Sequence, residues 1–140
     1  MRHSRREMFL LLPAVAAATK LRAAEPATLG TNVSRYEDLP VNARDGNSFR
    51  PIVEGTLHDG QAFEAHATEL APGGIPHGSH SHKHEEMFLV REGTVEVTVN
   101  GKGTRLGPGG VAFIGSGDDH GIRNVGDTKA KYFVIALGKE

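Results

Sequence analysis

From Arg50 onward the apolar positions of this chain recur every second residue over short runs, and no stretch sustains a period of three to four. Side chains two apart share one face of an extended strand, so the pattern predicts strands at roughly 51–57, 61–70, 86–91, 94–99, 103–106, 111–114, 120–125 and 130–137. In the clearest of them Val95, Val97 and Val99 alternate with Thr94, Glu96 and Thr98. Asn100-Gly101 then supplies the positive φ values of a type I′ hairpin. Glycine-rich corners at 72–74, 92–93, 107–110, 115–119 and 125–127 mark the other chain reversals. Eight short strands with no helix between them predict an all-β sandwich or barrel. The last run, AKYFVIAL, is apolar on both parities, which suits a central strand or one whose second face a partner subunit covers.

The chain before that pattern divides in two. Residues 25–50 carry Pro, Gly, Asn, Asp and Ser with little periodicity and read as an N-terminal arm or linker ahead of a single domain at 51–140. Residues 1–24 have the order of an export signal: a basic start, the apolar run MFLLLPAVAAAT, and a small, polar end. The run is too short to span a bilayer. Arg5-Arg6, with Met8 and Phe9 behind them, resembles the twin-arginine signal. The expectation is export in the folded state to the periplasm, with cleavage near Ala18 or Ala24.

Charge excludes more than it suggests. The formal net charge is −1, with both signs interspersed after the N-terminus, so no basic stripe points to nucleic acid and no acidic tail to a cationic partner. With no cysteine at all, disulfides, thiolate metal sites and cysteine nucleophiles are ruled out. Any metal must rest on nitrogen and oxygen. Four of the eight histidines fall within residues 77–84, in HGSHSHKHEE, and two glutamates follow at once.

One register organises this cluster. Gly74, His80, His82, Glu86 and Gly93 fit G-x5-H-x-H-x3-E-x6-G, whereas a start at His82 would put Phe88 where the carboxylate belongs. A second pattern follows in GGVAFIGSGDDHGIRN, with Gly109, Gly117, His120 and Asn124 on G-x5-P-x-G-x2-H-x3-N and Gly115 in the proline's place. With both motifs in order, the sequence resembles the cupin superfamily over about residues 51 to 137, in the manner of small single-domain, quercetin dioxygenase-like members.

The resemblance implies a cupin jelly-roll β-barrel and a metal held by His80, His82, Glu86 and His120. Three neutral imidazoles and one carboxylate suit a single divalent ion of Fe, Mn, Ni, Co, Cu or Zn, and leave positions open for a ligand. His77 and His84 stand outside the register and read as solvated side chains or as hydrogen-bond partners of the ligands. Gly115 for proline implies a looser segment before His120.

Two classes of function follow. One is a small metal-dependent enzyme, dioxygenase-like, acting on a chelating oxygenated small molecule. The other is a periplasmic module that binds a small ligand or metal without turnover. A lyase or isomerase would need an acid–base group, for which the candidates are His66, Glu64, Glu69, Tyr132 and His77. The resemblance further implies a homodimer, and Met87 and Leu89, on the strand face opposite Glu86, suit such a contact.

Overall fold

In the computed structural model of the protein, residues 28–139 are described. The export-signal reading at 1–24 lies outside them. The chain runs β1 Asn42–Arg44, β2 Asn47–Thr56, β3 Ala62–Leu70, β4 Glu85–Glu92, β5 Val95–Val99, β6 Lys102–Leu106, β7 Val111–Ile114, β8 His120–Asn124 and β9 Ala130–Leu137. One 3-10 turn, Tyr36–Asp38, precedes β1, and there is no α-helix among the described residues. No helix there is long and apolar enough to cross a membrane.

Every predicted strand is present. What the alternation missed is the start of the sheet: the first strand begins at Asn42, inside the segment read as an arm. The signal was Asp45-Gly46, a hairpin dipeptide whose residues take φ 53° and 79° to connect β1 to β2. The short β1 is exposed along its whole length, so no burial imprinted an alternation on it.

The strands form a six-stranded sheet, ordered β1-β2-β3-β9-β4-β7, and a three-stranded sheet, ordered β6-β5-β8. Neighbours are antiparallel throughout. This is the jelly-roll arrangement. β9 lies between β3 and β4, which explains why it is apolar on both parities.

Inward-facing residues of both sheets meet in one core. Leu70, Phe88, Val90, Ala130, Tyr132 and Val134 come from the larger sheet, with Ile114 of β7, and Val95, Val97 and Ile122 from the smaller. Burial of Leu70 or Val95, both at 0% exposure, stabilises the fold by about 1.5–3 kcal/mol each. The β5–β6 hairpin turns at Asn100 and Gly101 with φ 47° and 81°, the geometry the dipeptide predicts.

The loop between β3 and β4 carries the histidine cluster along the free edge of β8. It pairs with that strand at two points, Gly73 and Gly74 with Asn124, and His80 with His120. Six residue steps on the loop therefore span four on β8, and residues 75–79 bulge away between the two anchors. The loop is thus fixed at both ends and irregular in its middle.

Candidate metal centre

His80 and His82 arrive from that loop, Glu86 from the second residue of β4, and His120 from the first residue of β8. The structure brings all four together. Ligand atoms of His80, His82 and His120 lie within 4.8 Å of one another, and Glu86 Oε2 sits 3.1 Å from His120 Nε2 and Oε1 3.4 Å from His82 Nε2. The side chains of His120 and His82 are 1% and 5% exposed, and that of Glu86 15%.

Backbone carbonyls fix how each ring presents itself. The Nδ1–H of His82 donates to His84 O at 2.8 Å, that of His120 to Asp118 O at 2.9 Å, and that of His80 to Gly78 O at 3.3 Å. A carbonyl only accepts, so Nδ1 carries the proton, and in the neutral ring each Nε2 keeps its lone pair. Three lone pairs and a carboxylate then face a common point. His82 Nε2 is buried there without a hydrogen-bond partner. Such a set is mutually repulsive unless a cation occupies the centre, and its chemistry fits a divalent transition ion. Burial first, and then the neighbouring His77, hold the conjugate acid of His80 below the usual histidine value.

The ring orientations agree with that reading. His80 is inclined at 62° to His82 and 44° to His120, and His82 at 75° to His120. Splayed planes allow three lone pairs to converge on one ion.

The turn before His120 is well held despite Gly115. Asp118 N donates to Gly115 O, and Gly117 N to His82 O. From the β5–β6 hairpin, Asn100 Nδ2 donates to Asp118 Oδ1 at 2.8 Å and Asn100 Oδ1 accepts from Asp119 N at 3.0 Å. Cross-loop hydrogen bonds thus hold the turn in which Gly115 stands for the motif's proline. At the far end of β8, Asn124 is buried and ties three other backbone groups together.

Glu86 and His120 open onto a cavity of about 610 Å³ that lies inside the sandwich and under the β1–β2 hairpin. His66, Thr68 and Tyr132 line it as well. Of the acid–base candidates, His66 and Glu64 form a pair: the Nδ1–H of His66 donates to Glu64 Oε1 at 2.7 Å, and the imidazole packs against Phe49. Register places this pair relative to the ligands. Glu64 and Glu86 flank Ala136 from opposite sides, and His66 and Phe88 flank Val134, so the pair lies two strands from Glu86, roughly 10 Å across the sheet.

Tyr132 is buried and hydrogen-bonded to Thr68, and burial raises its phenol above the ordinary tyrosine value. Glu69 is not in the cavity. It faces the other side of the sheet, where it accepts from Tyr36 Oη at 2.7 Å and sits 3.9 Å from Arg50. His77 stands at the rim, with its ring centroid 4.5 Å from that of His80. His84, outside the motif, stacks on His82 at 3.6 Å and brings Nε2 to 3.5 Å from Glu86 Oε1.

Comparison with known proteins agrees with the motifs. The family described as Cupin domain matches residues 66–136. L-ectoine synthase of Bordetella petrii is 33% identical over 63 residues, 44% of this chain and 47% of that protein. The chain thus spans about half the length of the curated relative it matches. Among solved structures, an RmlC-like cupin of Shewanella frigidimarina superposes with TM-score 0.65 at 20% identity, over 79% of this chain and 94% of that one. A predicted oxalate decarboxylase of Thermotoga maritima gives 0.66 at 18% identity, over 77% and 100%.

Proposed function

The chain belongs to the cupin family, and from that premise we propose that it is a metal-dependent enzyme acting on a small oxygenated molecule that chelates the ion. The observation that carries the reading is the cavity itself, with Glu86 and His120 of the ligand cluster at one wall and His66, which is paired with Glu64, at another. His80, His82, Glu86 and His120 would hold the ion. When bound it supplies positive charge that acidifies a coordinated hydroxyl or enol.

The rest is done by the protein's own residues. Glu64 holds the proton of His66 on Nδ1, which leaves Nε2 as a base. Thr68 and the neutral Tyr132 offer hydroxyl groups on the same wall. Val134 and Phe88 keep that wall apolar. These features favour transfer of a proton on a bound substrate, the lyase or isomerase version of the reading, and the curated relative bears the name of a synthase. A dioxygenase-like reaction is the second reading, favoured by a set of three imidazoles and one carboxylate that leaves coordination positions open.

The test is turnover by protein loaded with each candidate ion and offered hydroxy acids, keto acids, diketones and catechols. Deuterium entry from solvent and oxygen uptake are followed together. Metal-dependent reaction that disappears in His82→Ala supports the enzyme. Deuterium entry lost in His66→Gln, with the metal retained, supports proton transfer. Oxygen uptake unaffected by His66→Gln supports the oxygenase instead. Tight binding of a chelating molecule that is recovered unchanged contradicts the enzyme and supports a binding module.

We also propose a homodimer through the outer face of the larger sheet. There Ala65, Ile135, Met87 and Phe113 lie in one row across four strands, with Phe133, Leu89 and Val111 in the next. Phe113 and Val111 are 60% and 53% exposed. Phe113→Glu should give a monomer in analytical ultracentrifugation, and a wild-type monomer contradicts the proposal. Export by the twin-arginine route is proposed from the N-terminal sequence, and Arg5→Lys with Arg6→Lys should retain the protein in the cytoplasm.

A further inference from the structure

The cluster holds one more donor than the motif uses. His82, His84 and Glu86 form a second group whose ligand atoms lie within 4.8 Å of one another, and it shares His82 with the first group. Three residues in alternation, His80, His82 and His84, therefore put an imidazole on each side of His82, and that of His84 also lies beside Glu86.

The two groups differ in readiness. In the first, the rings are splayed. In the second, the rings of His82 and His84 are nearly parallel, 9° apart at 3.6 Å. Parallel lone pairs at that spacing cannot both aim at an ion about 2.1 Å away. One ring must turn, and the torsion concerned, χ2 of a histidine, is broad and soft. The motif set is thus pre-formed, and the second set lies one side-chain rotation away.

The motif histidines also differ in exposure. His120 is buried on β8 and His82 is nearly so, whereas His80 is half-exposed at the end of the 75–79 bulge. Of the three motif histidines, His80 has the most exposed side chain, although its backbone is paired with His120.

We propose that His84 is a reserve ligand, which turns to hold the ion with His82 and Glu86 when His80 is away from it. The inference rests on the metal reading above. It gives the centre two overlapping modes, one closed by His80 and one by His84, with a single ion shared between them. An ion can then be captured or retained while the exposed ligand is displaced, for instance by a chelating molecule entering from the cavity.

The test is a double-mutant cycle on metal affinity, with cobalt(II) as the probe, titrated calorimetrically into metal-free protein. The variants are His80→Ala, His84→Ala, the double variant and His82→Ala, each checked for an unchanged urea midpoint without metal. Glutamine variants at 80 and 84 replace any alanine variant that does not fold. Wild type should take about one ion. His84→Ala should bind within about threefold of wild type, His80→Ala should bind about ten- to a hundredfold more weakly yet still take about one ion, and the double variant should lose binding. His82→Ala should lose it alone, since both modes use that residue.

Equal affinity in His80→Ala and the double variant overturns the inference while leaving the metal site intact. So does a loss in His84→Ala as large as that in His80→Ala, which would make His84 an ordinary ligand. Wild-type protein that takes up no cobalt overturns the metal reading itself and the inference with it.

Discussion

Asn124 offers a measurable link between the fold and the centre. Its side chain is 1% exposed and makes three hydrogen bonds: Nδ2 donates to Leu70 O at 3.0 Å and to Thr128 O at 2.7 Å, and Oδ1 accepts from Gly126 N at 2.9 Å. Together they join the ends of β3 and β8 to the β8–β9 turn. Asn124→Ala removes all three and strands backbone groups with no partner. At about 1 kcal/mol for each neutral bond the loss is about 3 kcal/mol. With an m value of about 2 kcal/mol/M, the urea midpoint should fall by about 1.5 M with the slope unchanged. Asn124→Asp should be no better, because it keeps the acceptor for Gly126 N while setting a carboxylate oxygen against two carbonyls. Equilibrium urea unfolding, followed by circular dichroism on metal-free protein, is the assay. A shift below about 0.5 M in Asn124→Ala would mean the three bonds are replaced by solvent, and would refute the claim that this side chain locks β8 in place.

Other consequences can be checked beside it. Gly93 has φ 76°, and a Cβ there would lie 2.7 Å from Lys129 O and 2.8 Å from Ala130 Cα, whereas Gly101, with φ 81°, has open space. Gly101→Ala should therefore cost about 1 kcal/mol and Gly93→Ala roughly 3 kcal/mol or more, and equal costs would contradict the close approach at Gly93. Tyr132, with its phenol raised by burial, keeps its proton when folded at a pH where the unfolded chain releases it. Stability should be intact below about pH 10 and fall as pH rises above it, and Tyr132→Phe should remove part of that alkaline loss; an identical profile in the variant would contradict it. Metal occupancy should hold near neutrality and fall as pH drops through about 6, because protonated imidazoles cannot ligate and His80 is held neutral to lower pH than usual. Occupancy unchanged at about pH 4 would exclude imidazole ligation.

Much of this molecule was legible in the order of its residues, for reasons that differ by element. β5 declared itself because Val95 and Val97 are buried while Glu96 and Thr98 are half-exposed, so the strand period was written into side-chain polarity. His80, His82, Glu86 and His120 were named through the resemblance that their spacing carries, and the two-residue step by itself speaks only for His80 and His82 sharing a face. β1 was hidden because nothing buries it, although Asp45-Gly46 marked its turn. The His66–Glu64 pair was named only as a set of candidates. Whether an alternating strand turns a given parity inward depends on register with β9, which is a long-range pairing. Glu69 shows the same limit from the other side, for its odd position carries it to the outer face with Tyr36 and Arg50. His84 was set aside because the register had no place for it, and its stacking on His82 is a property of the folded loop.

The most direct test of the central claim is elemental analysis of protein purified from its native compartment without chelator or affinity tag, run beside His82→Ala. The account predicts about one transition metal ion per chain, absent from the variant, because His82 Nε2 is the buried, unpartnered nitrogen at the heart of the cluster. Substoichiometric, mixed metal that is unchanged in His82→Ala would contradict it.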